Sequence, residues 1–251
     1  MSAYQGFASM YDALMTDAPY DIWVAYIDGF LSNWWNPPKE KPLVLDMACG
    51  TGNVTLRLAK LGYELIGVDA SVDMLIEAQH KAREQGADIL FLAQDMRRLD
   101  LYGTVDAVVC VCDGINYILE EPDMLEVFRR VRLFLNLGGV FIFDMNTEYK
   151  FKEVFKDQIF EDKGLGGEAY IWENHYDPET RINEYNMLFF DLSGGETYTE
   201  PFSEVHVQRA YPTADVCNML MEAGFASVAV RDGYSGNPPV ATSQRVVFIA
   251  S

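Results

Sequence analysis

Basic side chains are scarce in this 251-residue chain: 19 Lys and Arg stand against 38 Asp and Glu, for a formal net charge of -19. A surface so acidic repels phosphate backbones, which disfavours nucleic acid as a partner. The adjacent arginine pairs, Arg97-Arg98 and Arg129-Arg130, form no basic cluster that would mark a binding groove. Histidine and cysteine are also rare. His80, His175 and His206 are scattered, and Cys49, Cys110, Cys112 and Cys217 contain no C-x-x-C pair, so no metal-site spacing emerges and no metal is expected. The cysteines sit inside apolar stretches and read as reduced, buried thiols of a cytoplasmic protein. Nowhere do 18 or more apolar residues run together, which excludes a membrane-spanning helix. Met1 to Tyr20 has neither a basic start nor an unbroken apolar run, so a signal peptide is not expected. Low-complexity tracts and fixed-period repeats are absent as well.

What is present is an ordinary globular composition, 49% hydrophobic and 23% charged, with length enough for one α/β domain or a core plus a cap. Ala8 to Met15 and Tyr20 to Trp35 read as helices, the second with Ile22, Trp23, Tyr26, Ile27, Phe30 and Leu31 near helical spacing. Asn36-Pro37-Pro38 should end it, because proline lacks the N–H and clashes with the turn before it. Strands and helices then alternate. Leu43 to Met47, Glu64 to Val68, Ile89 to Ala93, Val105 to Val111 and Val140 to Asp144 read as strands. Between them, Gly50 to Lys60, Ser71 to Glu84 (Ser71 as N-cap) and Asp123 to Leu135 (stopped by Gly138-Gly139) read as loop and helix. That alternation implies a parallel, doubly wound α/β sheet of right-handed crossovers. Thr213 to Ala223 is a further helix with a threonine cap, and Ser227 to Arg231 and Arg245 to Ala250 are late strands.

Between them the pattern switches. Ala169 to His175, Arg181 to Asp191 and Thr197 to Arg209 read as antiparallel strands, jointed at Asp177-Pro178-Glu179 and Ser193-Gly194-Gly195. From Glu148 to Glu204 this stretch holds fourteen acidic and five basic side chains, about half of the whole negative charge. The expected division is therefore an N-terminal helical arm or lid over 1–38, a core over 39–146 and 210–251, and an inserted antiparallel β cap over 147–209. Such a cap favours a neutral or cationic ligand over a phosphorylated one.

Chemistry concentrates at the ends of the core strands. Val44-Leu45-Asp46-Met47-Ala48-Cys49-Gly50-Thr51-Gly52-Asn53 combines a strand, two glycines that permit close backbone approach, and a helix N-terminus. A dinucleotide fingerprint would need a third glycine where Thr55 stands, and would place its glycines directly after the strand. The D-x-x-x-G-x-G form resembles motif I of the class I S-adenosylmethionine (SAM)-dependent methyltransferases. Ile66-Gly67-Val68-Asp69-Ala70-Ser71, Ser71-x-x-Met74-Leu75-x-x-Ala78 and Asp95-Met96 also look like that family. So do Tyr11-Asp12-x-Leu14-Met15, Tyr20-x-x-Trp23, Phe143-Asp144-Met145-Asn146 and Glu204-Val205-His206-Val207-Gln208-Arg209, which resemble a bacterial subgroup. That subgroup includes uncharacterised cytoplasmic methyltransferases and is similar to aminosugar N-methyltransferases.

The resemblance implies a seven-stranded Rossmann-like core and SAM as cofactor. It implies that Asp46, Gly50 and Gly52 hold SAM, that Asp69 takes the ribose hydroxyls, and that Asp95 and the Met96 N–H meet the adenine. Tyr11 would close over the methionyl end. Met74 covers the adenine or packs in the core, and Cys112 lies where the fourth strand ends, near the transferred methyl. Asp113 and Asn116 line the acceptor site or make a turn. For catalysis the candidates are His206, Asp113 and Tyr11, although a neutral amine needs no strong base. The expected activity is methyl transfer to a small-molecule amine or polyol. A non-catalytic SAM-binding regulator, and a methyltransferase acting on RNA or protein, are the alternatives.

Overall fold

The computed structural model describes residues 8–34, 41–163, 168–191 and 201–251. Seven strands form one sheet: β1 (Leu43–Met47), β2 (Glu64–Asp69), β3 (Leu90–Ala93), β4 (Val105–Cys110), β5 (Leu135–Asn146), β10 (Val228–Asp232) and β11 (Arg245–Ala250). Their spatial order is β10-β11-β5-β4-β1-β2-β3. Only β11 runs antiparallel to its neighbours, β10 and β5. The order reverses between β1 and β4, and the crevice at such a switch point, beyond the carboxyl ends of the strands, is where ligands bind in these sheets.

Period-two alternation buries both faces. Leu45, Val108, Phe141 and Phe143 point to one side, under α5 (Glu121–Phe134) and α6 (Thr213–Glu222). Val44, Ala107, Val109 and Ile142 point to the other, under α2 (Tyr20–Trp34) and α3 (Asn53–Lys60). This double coverage explains why the strands read as unbroken apolar runs. Trp23, Val24, Ile27 and Leu31 of α2 are core residues, so this helix belongs to the layer that covers the sheet. Within the segment expected as one arm, only α1 (Ala8–Leu14) reaches elsewhere: Ala8 and Met10 pack on Met74 of α4 (Val72–Glu84) and on Phe189 of the second sheet.

That second sheet is antiparallel, in the order β6 (Ile159–Lys163), β7 (Glu168–Asp177), β8 (Ile182–Asp191), β9 (Phe202–Arg209). It contains one strand, β6, that the sequence pattern did not suggest, after a π-helical turn at Lys150–Phe155. Asp177 builds the β7–β8 turn by accepting from the Glu179 N–H at 2.9 Å and the Thr180 hydroxyl at 2.7 Å. The Ser193-Gly194-Gly195 joint, the start of the strand expected from Thr197, and Asn36-Pro37-Pro38 lie outside the described residues.

Two local expectations need correction. α5 is not stopped by Gly138-Gly139: Leu135 turns extended (ψ 134°) and the chain passes directly into β5. The glycines serve β5 instead, Gly138 at φ +77° and Gly139 where a Cβ would come within 3.0 Å of the Asp106 carbonyl oxygen. At α6 the threonine is the first helical residue and makes no side-chain cap, Pro212 holding the cap position. Ser71, by contrast, caps α4 by accepting the Met74 N–H at 3.3 Å. No helix among the described residues is long and apolar enough to cross a membrane.

Candidate active site

The loop after β1 carries three left-handed residues in five, Ala48 (φ +58°), Gly50 (+54°) and Gly52 (+77°). This folds the chain tightly into the N-terminus of α3, leaving backbone N–H groups open to a ligand. At Gly52 any Cβ would meet the Ala78 Cβ at 3.1 Å, so this glycine lets α3 and α4 approach. Asp46, 1% exposed, accepts the Thr55 hydroxyl at 2.5 Å. Thr55 therefore stands in place of the dinucleotide glycine because it anchors the acidic residue of the preceding strand. Burial, with Asp69 nearby, pushes the Asp46 carboxyl up to about 7 despite that hydrogen bond. Asp69 ties two loops together, accepting the Gly50 N–H and the Ser71 N–H, each at 2.8 Å. Burial raises its pKa too, against those backbone donors.

A cavity of about 500 Å³ opens at these strand ends, within the range of small-molecule sites. It brings together Tyr11, Asp46, Gly50, Asp69, Met74, Asp95, Met96 and Cys112. Gly52 is absent from the lining and acts through the packing just described. Met74, 2% exposed, both lines the cavity and packs under α1. Asp95 is not free: Arg97 grips its carboxylate and also reaches Asp123 at 3.1 Å. The Arg97 guanidinium holds Asp95 below the usual carboxylate range. The wall also carries Asp46, Asp69 and Glu120, which make no ion pair among the described residues. A dinucleotide's pyrophosphate would meet repulsion here. SAM, with a sulfonium and an ammonium against one carboxylate, matches the donor set.

At the end of β4, Cys112 (φ +62°) and Asp113 (φ +54°) form a left-handed pair, held because Asp144 accepts both N–H groups, at 3.2 and 2.6 Å. Asp113 is one of the catalytic candidates that the sequence offers. Its carboxylate does not line the cavity but receives Arg245 and the Gln208 amide, each at 2.7 Å. Burial opposes its ionisation, yet Arg245 and then Lys150 hold its pKa down. Arg245 also lies 2.8 Å from Asp144, an ion pair too bent to count as a directed hydrogen bond, while the Tyr234 hydroxyl donates to the same carboxylate. Asn116 is a staple: fully buried, it joins the Asn146 and Arg209 carbonyls and the Asn146 N–H. Arg245, Tyr234, Lys150 and Tyr117 are participants that sequence reasoning did not select.

Tyr11 places its hydroxyl 3.9 Å from the Cys112 sulfur. Burial lifts that thiol to about 12. The next residue, Asp12, fastens α1: it accepts the Thr51 hydroxyl and the Asn53 amide, both at 2.7 Å, and pairs with Lys81 of α4. Although burial opposes its ionisation, Lys81 and Thr51 outweigh that and lower its pKa.

His206, 2% exposed, is set back from the cavity behind Tyr117. The Tyr117 hydroxyl lies 3.1 Å from Nδ1, and Glu204 Oε2 lies 3.0 Å from Nε2. Glu204, His206 and Gln208 alternate along β9, so strand periodicity puts all three on its inward face. Polar residues at every second position of a strand were the available signal for this stripe.

Comparison with known proteins shows the family to which the chain belongs. A family model described as a methyltransferase domain matches residues 44–139. The Bacillus subtilis (strain 168) protein named "Putative methyltransferase YqeM" is 39% identical over 98% of this chain and 96% of its own. The crystal structure of an S-adenosylmethionine-dependent methyltransferase from Clostridium acetobutylicum superposes with a TM-score of 0.85 at 30% identity, covering 100% of this chain and 99% of that one. A sugar N-methyltransferase, KedS8 from Streptoalloteichus, shares the fold at a TM-score of 0.76 and 22% identity, covering 96% and 91%. The protein is a SAM-dependent methyltransferase and belongs to the class I family of these enzymes.

Proposed function

We propose that the acceptor is a small molecule bearing an amine, with an amino sugar as the first class to examine. The observation that carries this reading is the charge of the cavity wall, where, among the described residues, Asp46, Asp69 and Glu120 lack ion-pair partners and the one arginine, Arg97, is spent on Asp95 and Asp123. A cation is drawn to such a site and a polyanion such as RNA is turned away. The likeness in fold to a sugar N-methyltransferase supports the same reading.

In this proposal Asp69 accepts the ribose hydroxyls while Gly50 and Gly52 shape the approach to α3. Asp95 and the Met96 N–H face the adenine, beside Met74. Asp46 and Tyr11 flank the methionyl end, and Cys112 marks the methyl. Bound there, SAM supplies a sulfonium-activated methyl group. The chain's work is then to hold the acceptor nitrogen in line and keep water out, which is where most of the rate of such a displacement originates. Tyr11, tied down through Asp12, closes one end. The four-stranded sheet, within the cap over 147–209, selects the acceptor, and the arm closes onto it through Phe189. Four free cysteines fit a reducing, cytoplasmic setting.

The test is conversion of SAM to S-adenosylhomocysteine with defined acceptors: free amino sugars, aliphatic amines, polyols, RNA and an unrelated protein. Turnover confined to the amines is expected. Efficient transfer to RNA, or to polyols alone, would overturn the assignment.

A further inference from the structure

An aliphatic amine reaches a neutral-pH active site as an ammonium ion, with no lone pair to attack. The acidic wall that attracts it also stabilises that charged form, so the proton needs somewhere to go. Several nearby carboxylates are already engaged, Asp46 by the Thr55 hydroxyl among them. Asp69 is engaged by two backbone N–H groups, Asp95 by Arg97, and Asp113 faces Arg245 outside the cavity. Tyr117 differs, because it lines the cavity and its hydroxyl leads out of it to a buried imidazole backed by a carboxylate.

Resting on the amine reading above, we propose that Tyr117, His206 and Glu204 form a proton relay, in which Tyr117 meets the acceptor and the other two act through it. The chemistry of the partners sets its direction. A carboxylate at Glu204 can only accept, so His206 keeps its proton on Nε2. Nδ1 then offers a lone pair, and the Tyr117 O–H donates to it. When the acceptor nitrogen gives its proton to Tyr117 Oη, the tyrosine's own proton passes to Nδ1. The positive charge ends on an imidazolium held against Glu204. The freed lone pair forms the N–C bond as the methyl–sulfur bond breaks, its electrons remaining on sulfur. The proton leaves by the same route once the product departs.

Among the described residues, the polar groups around His206 are engaged with one another. Tyr185 sits opposite it on β8, with its hydroxyl donated to Gln208 at 2.7 Å. Beyond Gln208 stand Asp113 and Arg245, already paired with one another. The neighbouring 3-10 turn, Gly114–Tyr117, brings no other charged side chain.

Two measurements test the relay. In protein carrying ¹⁵N-histidine, with the His206→Gln variant identifying the signal, nitrogen NMR should show Nε2 protonated and Nδ1 accepting. Tyr117→Phe should move the Nδ1 resonance toward that of a free imidazole. Second, with the best acceptor from the panel, His206→Gln should lower kcat about 100-fold and abolish the low-pH limb of the rate profile, with SAM affinity within twofold. Glutamine can still bridge Tyr117 and Glu204 but cannot carry the proton, so a purely structural histidine would leave that limb in place. A proton found on Nδ1, or a glutamine variant with wild-type kcat and profile, overturns the relay. If the wild-type enzyme used only hydroxyl acceptors, the amine assignment would fall, and the same His206→Gln comparison would still decide the relay.

Discussion

Arg245 Nη2 lies 2.7 Å from Asp113 Oδ1 across 132 residues of chain, and both side chains are less than one-fifth exposed. With Asp144 as its second partner, this arginine holds the left-handed turn at Cys112 and Asp113 against the end of β4. Removing it leaves two buried carboxylates facing each other. Arg245→Met should cost about 3–5 kcal/mol of unfolding free energy, read from urea denaturation, with Arg245→Lys intermediate because it keeps charge but loses the planar fork. A loss below 1 kcal/mol in Arg245→Met would show that the carboxylates are satisfied without it.

Asp46 makes stability depend on pH. Its carboxyl titrates near 3.8 when unfolded and about 7 when folded, so between those values the folded chain holds the extra proton. Its contribution therefore falls as pH rises through that window, by up to about 1.4 kcal/mol per pH unit, and levels off above it. Asp46→Asn should flatten the slope in melts of the ligand-free protein between pH 5 and pH 7. A cationic ligand favours the ionised form, so SAM binding at pH 6 should release protons, measurable by calorimetry in buffers of different ionisation enthalpy.

Asp69→Ala should weaken SAM binding by about 2–4 kcal/mol if the carboxylate takes both ribose hydroxyls. It should also lower the melting temperature, because the Gly50 and Ser71 N–H groups lose their acceptor. Calorimetry and thermal unfolding separate the two effects. Unchanged affinity in a folded variant would place the ribose elsewhere.

Asp12→Ala should release α1 without unfolding the core, because the helix packs on α4 and the second sheet rather than within the seven-stranded sheet. Its bonds to Thr51, Asn53 and Lys81 are partly exposed, and losing them should speed SAM dissociation about tenfold, equivalent to about 1.4 kcal/mol. Displacement of labelled SAM by excess S-adenosylhomocysteine measures that rate. An unaltered rate would mean that the arm does not gate the cofactor.

Much of the candidate site around β1 and β2 was readable from the chain alone because its devices are local. Asp46, Gly50 and Gly52 lie within seven residues, Asp69 ends the strand that precedes its own helix cap, and apolar runs announce strands covered on both faces. The same locality misled where two structures share one signal. Gly138-Gly139 looked like a helix stop but serves a strand that approaches the Asp106 carbonyl, and Asp113 looked poised for catalysis until its partners were visible. Those partners come from far along the chain: Arg245 from β11, Gln208 from β9, Asp144 from β5. Sequence pattern assigned each to a strand, but which strand ends meet depends on the order β11-β5-β4 and on how the antiparallel sheet lies over it. Buried charges must find partners wherever packing brings them, so the loop after β1 was determined by neighbouring residues and the turn after β4 by tertiary structure alone.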